Sequence, residues 1–207
     1  VVGDSEVLCA APLSMIQAGL GDILSKWTSN ADWQLAHFIK GEYFCPLPFT
    51  LIQDIEPQYL QHPAGLAVSQ PEAVAALTEA LLYSGISMIL AGSSSPASGA
   101  EHLISHTLDM RASMTGREPQ LHGLQVGIAT IFIAALYERL CQWVPPTLEM
   151  SRLRDRYPSM EQCAADIRAF FGTIAEPILQ AFAQKYRPWE QKEAELPFIV
   201  HQGSAIL

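Results

Sequence analysis

The 207-residue chain is 49% hydrophobic and 16% charged, and its 12 basic and 21 acidic side chains give a net charge of −9. So much core-forming material excludes a disordered tail, and the acidic balance excludes a general nucleic-acid binder, which needs a basic face. Thirteen glycines and four cysteines exclude a collagen-like or disulfide-stapled scaffold, leaving a soluble, acidic globular chain with one sizeable core, or at most two.

Charge is distributed unevenly. Before Arg111 only Lys26 and Lys40 are basic, against eleven acidic residues, and the other ten basic residues follow from Arg111 onward. An acidic, apolar first half is suited to facing another domain or a bound cation.

The start, Val1-Val2-Gly3-Asp4, lacks the charged head and apolar run of a secretory signal. It reads as the middle of a strand or an inter-domain crossing, as expected of a piece of a longer protein. Over residues 14–40, apolar residues at helical spacing (Ile16, Leu20, Ile23, Leu24, Trp27, then Trp33, Leu35, Ala36, Ile39) predict helix, with a break at Ser29-Asn30 and a stop at Gly41. The proline-rich stretch 45–71 predicts loops and short helices. The Ala/Leu-rich run 72–90 predicts a buried helix.

Residues 91–102, AGSSSPASGAEH, predict a tight loop that feeds a helix from near Gly99 to about Met110. The run at 115–119 breaks it, and a long helix follows over 121–140. The longest apolar stretch of the chain, 126–137, is about twelve residues and falls short of the roughly twenty that span a bilayer, so it reads as a buried helix and no membrane span is expected. Further helices are predicted over 160–171, 175–186 and 189–196. With no period-2 pattern beyond the first few residues, the fold class is all-α, a multi-helix bundle. Cys9, Cys45, Cys141 and Cys163 show no metal-knuckle spacing and read as reduced core residues of a cytoplasmic protein.

Three places put ligand-capable side chains into apolar helices. In Gly19-Leu20-Gly21-Asp22, two glycines cost helix stability, about 1 kcal/mol each, and are tolerable where another backbone or a ligand comes close. Lys26 follows Asp22 by one turn, and an ordinary Asp–Lys pair beside a packing contact fits the same residues. His102 and His106, at i and i+4, share a helix face and can share a metal. No HExxH glutamate lies between them, so a metalloprotease does not follow. One buried and one surface histidine fit equally. The loop before them, Ser94–Gly99, could offer hydroxyls and free N–H groups to an anion or serve as a simple cap. His122 opens an apolar helix whose Gly123 and Gly127 leave room for a neighbour, and a purely structural histidine fits there too. Together, one carboxylate and two or three imidazoles suit a divalent zinc, iron or nickel ion with open positions for water or substrate.

The segments AGLGDILSKWTSNADWQLAH, SSSPASGAEHLISHTLDM and LHGLQVGIATIF resemble the C-terminal half of sn-glycerol-1-phosphate dehydrogenases. That family lies within the superfamily of iron-dependent alcohol dehydrogenases, glycerol dehydrogenases and dehydroquinate synthases. The patterns GxGDxxSK, SGAEHxxSH and LHGxQVG are specific in combination. The resemblance implies a divalent metal, zinc first with nickel or iron as alternatives, held by Asp22, His102 and His122. It places His106 beside the reacting centre as a proton-relay or substrate-contact residue, and Lys26 and Ser98 are assigned to the substrate phosphate.

It further implies an NAD(P)-linked oxidoreductase that interconverts sn-glycerol 1-phosphate and dihydroxyacetone phosphate. The nicotinamide cofactor would be bound mainly by an N-terminal Rossmann-like domain that this sequence lacks. Residues 1–12 would then be the remnant of that domain and its crossover, and 13–207 the helical metal- and substrate-binding domain, inactive alone. The missing domain is the implied partner, alongside a small phosphorylated polyol, and homo-oligomers are an open expectation because apolar helix faces would be left exposed. The alternatives are a glycerol or other polyol dehydrogenase of the superfamily, a non-catalytic metal-binding helical fragment, and a ligand-free all-α regulator. A dehydroquinate-synthase-like cyclase fits less well, because that branch carries Glu where Asp22 stands.

Overall fold

The computed structural model describes residues 3–61, 63–142 and 149–206. They form α1 (Ser5–Cys9), α2 (Leu13–Leu24), α3 (Lys26–Lys40), α4 (Leu47–Gln53), α5 (Glu56–Leu60), α6 (Pro63–Ala67), α7 (Pro71–Ala91), α8 (Ala100–Thr115) and α9 (His122–Cys141). There follow α10 (Met150–Arg156), α11 (Met160–Phe171), a 3-10 turn at Gly172–Ile174, α12 (Ala175–Lys185) and α13 (Trp189–Ile206). No strand occurs among the described residues, as the helical periodicity predicts. Of the expected strand-like start Val1-Val2-Gly3-Asp4, the first two residues lie outside them, and Gly3 and Asp4 belong to no strand; Asp4 instead caps the start of α1.

The chain divides into two compact units, Val1–Asp109 with Pro119–Tyr137, and Met110–Glu118 with Glu138–Leu207. In the first, α7 is the central rod. It packs against α1, α2, α4, α5 and α6, and the core joins Ala73, Val74, Leu77 and Ala80 to Ile16, Ile23, Ile52, Tyr59 and Leu66. Pro71 starts this helix, and Gly92 ends it with a left-handed φ of 66°, a conformation that favours glycine. The proline-rich stretch becomes three short helices laid along it. In the second unit, α11 begins at a capping box formed by Ser159 and Gln162 and packs against α12.

Four expectations need correction. The break in the first helical stretch falls at Ser25, not Ser29-Asn30. Both Ser29 and Asn30 are buried inside α3, where their side chains bond back to the Lys26 carbonyl and across to the Pro96 carbonyl. Polar residues that stop an exposed helix are accommodated when their hydrogen bonds are made locally and to a neighbour. Helix α9 is apolar all round yet buries a single stripe, Gly123, Val126, Ala129 and Ile133, leaving Ile128, Ile131, Phe132 and Leu136 exposed. Both α7 and α9 are long and apolar enough to cross a membrane, a property that the core helices of soluble proteins share, so the apolar length read from residues 126–137 alone was too short. The four cysteines are free, but Cys141 is exposed and the others are only half-buried.

The two sequence glycines around residue 20 do different jobs. Gly19 faces the side chains of Leu77 and Leu81, whereas Gly21 meets the backbone of α9 directly. A Cβ on Gly21 would overlap the Gly123 carbonyl, one on Gly123 would overlap the Ala18 carbonyl, and one on Gly127 would lie 2.8 Å from the Gly21 Cα. The two backbones therefore cross with no side chain between them, next to Asp22 on one helix and His122 on the other. Replacing Gly21 by Ala is expected to cost more than about 3 kcal/mol, beyond ordinary overpacking, because rigid backbone must yield. Gly85→Ala within α7, where the added methyl meets open space, should instead gain up to about 1 kcal/mol. Urea unfolding of the two variants checks both signs.

Candidate metal centre

The helix crossing brings Asp22, near the end of α2, against His122, the first residue of α9. His102, in the first turn of α8, completes the group. One ligand atom from each of the three lies within 4.8 Å of the others. Asp22 Oδ1 is 3.4 Å from His102 Nε2 and 4.0 Å from His122 Nε2. His102 forms the closed wall, its side chain only 9% exposed, while Asp22 at 33% and His122 at 44% line the mouth. The exposed His106 stacks on His122, ring centroids 5.7 Å apart and planes at 23°.

Glu101 fixes the chemistry of His102. Its carboxylate is fully buried and accepts from Thr28 Oγ1 at 2.7 Å, from the Gly99 N–H at 2.7 Å and from His102 Nδ1 at 2.9 Å. Burial pushes this carboxyl up, but hydrogen bonds from His102, Thr28 and the Gly99 N–H outweigh it and hold Glu101 below its usual range. An ionised carboxylate only accepts, so His102 carries a proton on Nδ1, and its Nε2 is the atom turned towards Asp22. This is the arrangement in which a carboxylate orients a metal-binding histidine.

Asp22 provides the test of whether a cation fits. Burial pushes its carboxyl up, and His102, Lys26 and His122 together hold it below its usual range, so it is ionised. Yet Oδ1 is buried with no hydrogen-bond partner, although two imidazole nitrogens face it. An orphaned carboxylate oxygen opposite two nitrogens is costly without a cation among them, and a divalent ion meets that need with one oxygen and two nitrogen ligands. A proton is the weaker substitute. Burial pushes the His102 imidazole down, but Asp22 and Glu101 raise it above its ordinary value.

The other sequence candidates fall differently. Lys26 opens α3 after the Ser25 break and is 2% exposed, its ammonium donating to the Ala97 carbonyl at 3.2 Å. Burial lowers its pKa to about 8, against the opposing pull of Asp22 and Glu101. Ser98 stands half-buried in the loop before α8, and no hydrogen bond among the described residues ties its side chain to the triad. The expectation of free N–H groups in the Ser94–Gly99 loop meets a correction at its end: the Gly99 N–H is taken by Glu101, and the next, that of Ala100, by Asp32 at 2.6 Å.

Several residues that build the site escaped the sequence reading. Thr28, Ser29, Asn30 and Asp32 of α3 reach Glu101, Pro96 and Ala100 and clamp the loop that starts α8. Asp32 is itself held by the Tyr137 hydroxyl at 2.5 Å. Gly99 is the residue this clamp tolerates, since a Cβ there would lie 2.6 Å from Asp32 Oδ2 and 2.9 Å from the Ser29 Cα. Glu101 stood next to His102 and Gln125 one turn after His122, but adjacency does not reveal which atoms meet.

The fold and the triad define a helical chain with a candidate site for a divalent metal. No family model matches the chain. Curated relatives do: it is homologous to the glycerol-1-phosphate dehydrogenases [NAD(P)+]. It is 41% identical over 162 residues to the enzyme of Geobacillus thermodenitrificans, covering 78% of this chain and 39% of that protein. The matches to the enzymes of Pyrococcus horikoshii (42% over 137 residues, 66% and 38% of the two chains) and Thermococcus kodakarensis (40% over 149 residues, 72% and 41%) are similar. The chain thus spans about two fifths of the length of these relatives.

The buried lysine gives a signed pH prediction. Between pH 8 and 10.5 the unfolded chain keeps the Lys26 proton that the folded chain has released. Native stability supplied through this group therefore rises with pH across that window, by roughly 3 kcal/mol at most. The stability difference between the wild type and Lys26→Met should grow between pH 8 and pH 10.5 in urea titrations. Parallel pH profiles for the two proteins would refute the burial of the ammonium.

Proposed function

We propose that this chain is the metal- and substrate-binding part of an NAD(P)-linked dehydrogenase that interconverts sn-glycerol 1-phosphate and dihydroxyacetone phosphate in the cytoplasm. The observation that carries the reading is the unpartnered Asp22 Oδ1 facing two imidazole nitrogens, in a chain homologous to proteins of that name. Asp22, His102 and His122 would hold the ion, zinc first and nickel or iron as alternatives. Once bound, a divalent ion there supplies Lewis-acid polarisation of a substrate oxygen.

The chain's own residues do the rest. Glu101 keeps the His102 ring in the ligating tautomer. His106, stacked on His122 at the open mouth, is the proton-exchanging group of this half, releasing or accepting a proton at a ring nitrogen next to the substrate oxygen. Ser98 and Lys26 are assigned to the phosphate, with Lys26 leaving the Ala97 carbonyl to reach it. A nucleotide-binding domain outside this sequence would hold the nicotinamide cofactor, which would supply hydride-transfer chemistry at the substrate carbinol.

A second reading, a glycerol or other polyol dehydrogenase, is favoured by one feature. Lys26 is buried on a backbone carbonyl, and the N–H groups of Gly99 and Ala100 are already engaged, so this half offers an anion few ready partners.

Metal analysis of the purified protein should find about one divalent ion per chain, and Asp22→Ala should abolish it. In the full-length enzyme, His102→Ala should lower kcat/KM by roughly two orders of magnitude or more, matching the several kcal/mol a Lewis acid supplies. A kcat/KM for glycerol equal to that for glycerol 1-phosphate would decide for the second reading, and a metal-free wild type would sink both.

A further inference from the structure

His122 is the exposed member of the triad, and among the described residues no carboxylate meets its Nδ1 as Glu101 meets that of His102. Its Nδ1 lies instead 3.0 Å from the Ser105 hydroxyl, which is fully buried and also lies 2.9 Å from Gln125 Oε1. The sense of this chain of bonds follows from its far end. The Gln125 amide nitrogen points at Asp109 Oδ1 at 2.8 Å and at the Gln120 carbonyl at 3.3 Å, two groups that only accept. The amide orientation is therefore fixed, and Oε1 is the atom left to face Ser105. A carbonyl oxygen cannot donate, so the single hydroxyl proton of Ser105 goes to Gln125. Ser105 then has only lone pairs for His122, and the ring must donate from Nδ1.

We propose that Ser105 and Gln125 are positioning residues that lock His122 into the Nδ1–H tautomer before any ion arrives, so that Nε2 is presented to it as a ready ligand. The inference rests on the metal reading above. It divides the site into two differently tuned ligands: His102 is backed by a buried negative charge, and His122 by a neutral hydroxyl–amide chain that ends on Asp109. A ring 44% exposed needs such a tether, because solvent would otherwise accept either tautomer and either ring flip. The orienting partner of a metal-bound histidine typically accounts for a 10- to 100-fold difference in metal affinity.

Two measurements test it. In metal-free protein labelled with ¹⁵N-histidine, at a pH where the imidazole is neutral, long-range ¹H–¹⁵N spectra should show His122 protonated on Nδ1; protonation on Nε2 overturns the proposal, and this test needs no variant to fold. In zinc competition titrations, Ser105→Ala should weaken zinc binding by about 10- to 100-fold and Ser105→Thr should restore it. The loss should vanish when His122 is already Ala, since a residue acting through His122 has nothing left to position. Wild-type zinc affinity in Ser105→Ala, or an equal loss in the His122→Ala background, overturns this inference alone. A wild type that takes up no zinc, nickel or iron overturns the metal reading and this inference with it.

Discussion

The site depends on one steric fact, the crossing of α2 and α9 at backbone contact. Where Gly21 meets Gly123 and Gly127 there is no room for a Cβ, so the helices approach as closely as their main chains allow. The residues beside the contact inherit that closeness. Asp22 follows Gly21 and His122 precedes Gly123, and a carboxylate and an imidazole from positions one hundred residues apart come within 4.0 Å. Ordinary side-chain packing would hold the axes some 8–10 Å apart and leave no such freedom to place them. The helix-propensity cost of the glycines is offset by this contact.

The second constraint is polar. The first turns of α3 direct Lys26, Thr28, Ser29, Asn30 and Asp32 at the loop that opens α8. These bonds fix Glu101 and hence the ring of His102. The charges of the site are unbalanced: Asp22 at the mouth and the buried Glu101 contribute −2 and the buried Lys26 +1, leaving −1 before any ion is counted. A compensating cation stabilises a net negative charge in such a partly enclosed site. The shifts say the same, with both carboxyls held ionised against their burial and the imidazole of His102 raised. The acidic first half noted from composition thus has a local counterpart.

Legibility varied with the kind of signal. Long elements were plain, because α7, α11 and α12 each announce themselves by apolar spacing, a starting proline or capping box, or a stopping glycine. The Ser25 break was misplaced because Ser29-Asn30 looks like an exposed stop, and only the neighbouring Pro96 carbonyl makes it a buried pair. The full burial expected of α9 failed because its composition is apolar on every side, and composition does not say which stripe meets a partner. The candidate ligands Asp22, His122 and the pair His102 and His106 were legible as polar interruptions in apolar helices, and the family resemblance chose His102 from the pair. Their supporting shell was not, since Ser105, Gln125 and Asp32 are residue types common on any helix.

The sequence by itself determined the helical class, the boundaries of α7, α9, α11 and α12 to within about a residue, the family resemblance and the candidate ligands, whereas α8 and α13 run five and ten residues past their expected ends. Those properties are local: periodicity, caps and short motifs are read over a few turns. Tertiary structure alone decided that the three ligand atoms converge, that Lys26 is buried on a carbonyl, and which nitrogen of each histidine faces the centre. Each of these depends on a partner dozens of residues away, and a hydrogen bond has a direction that only the placed atoms reveal.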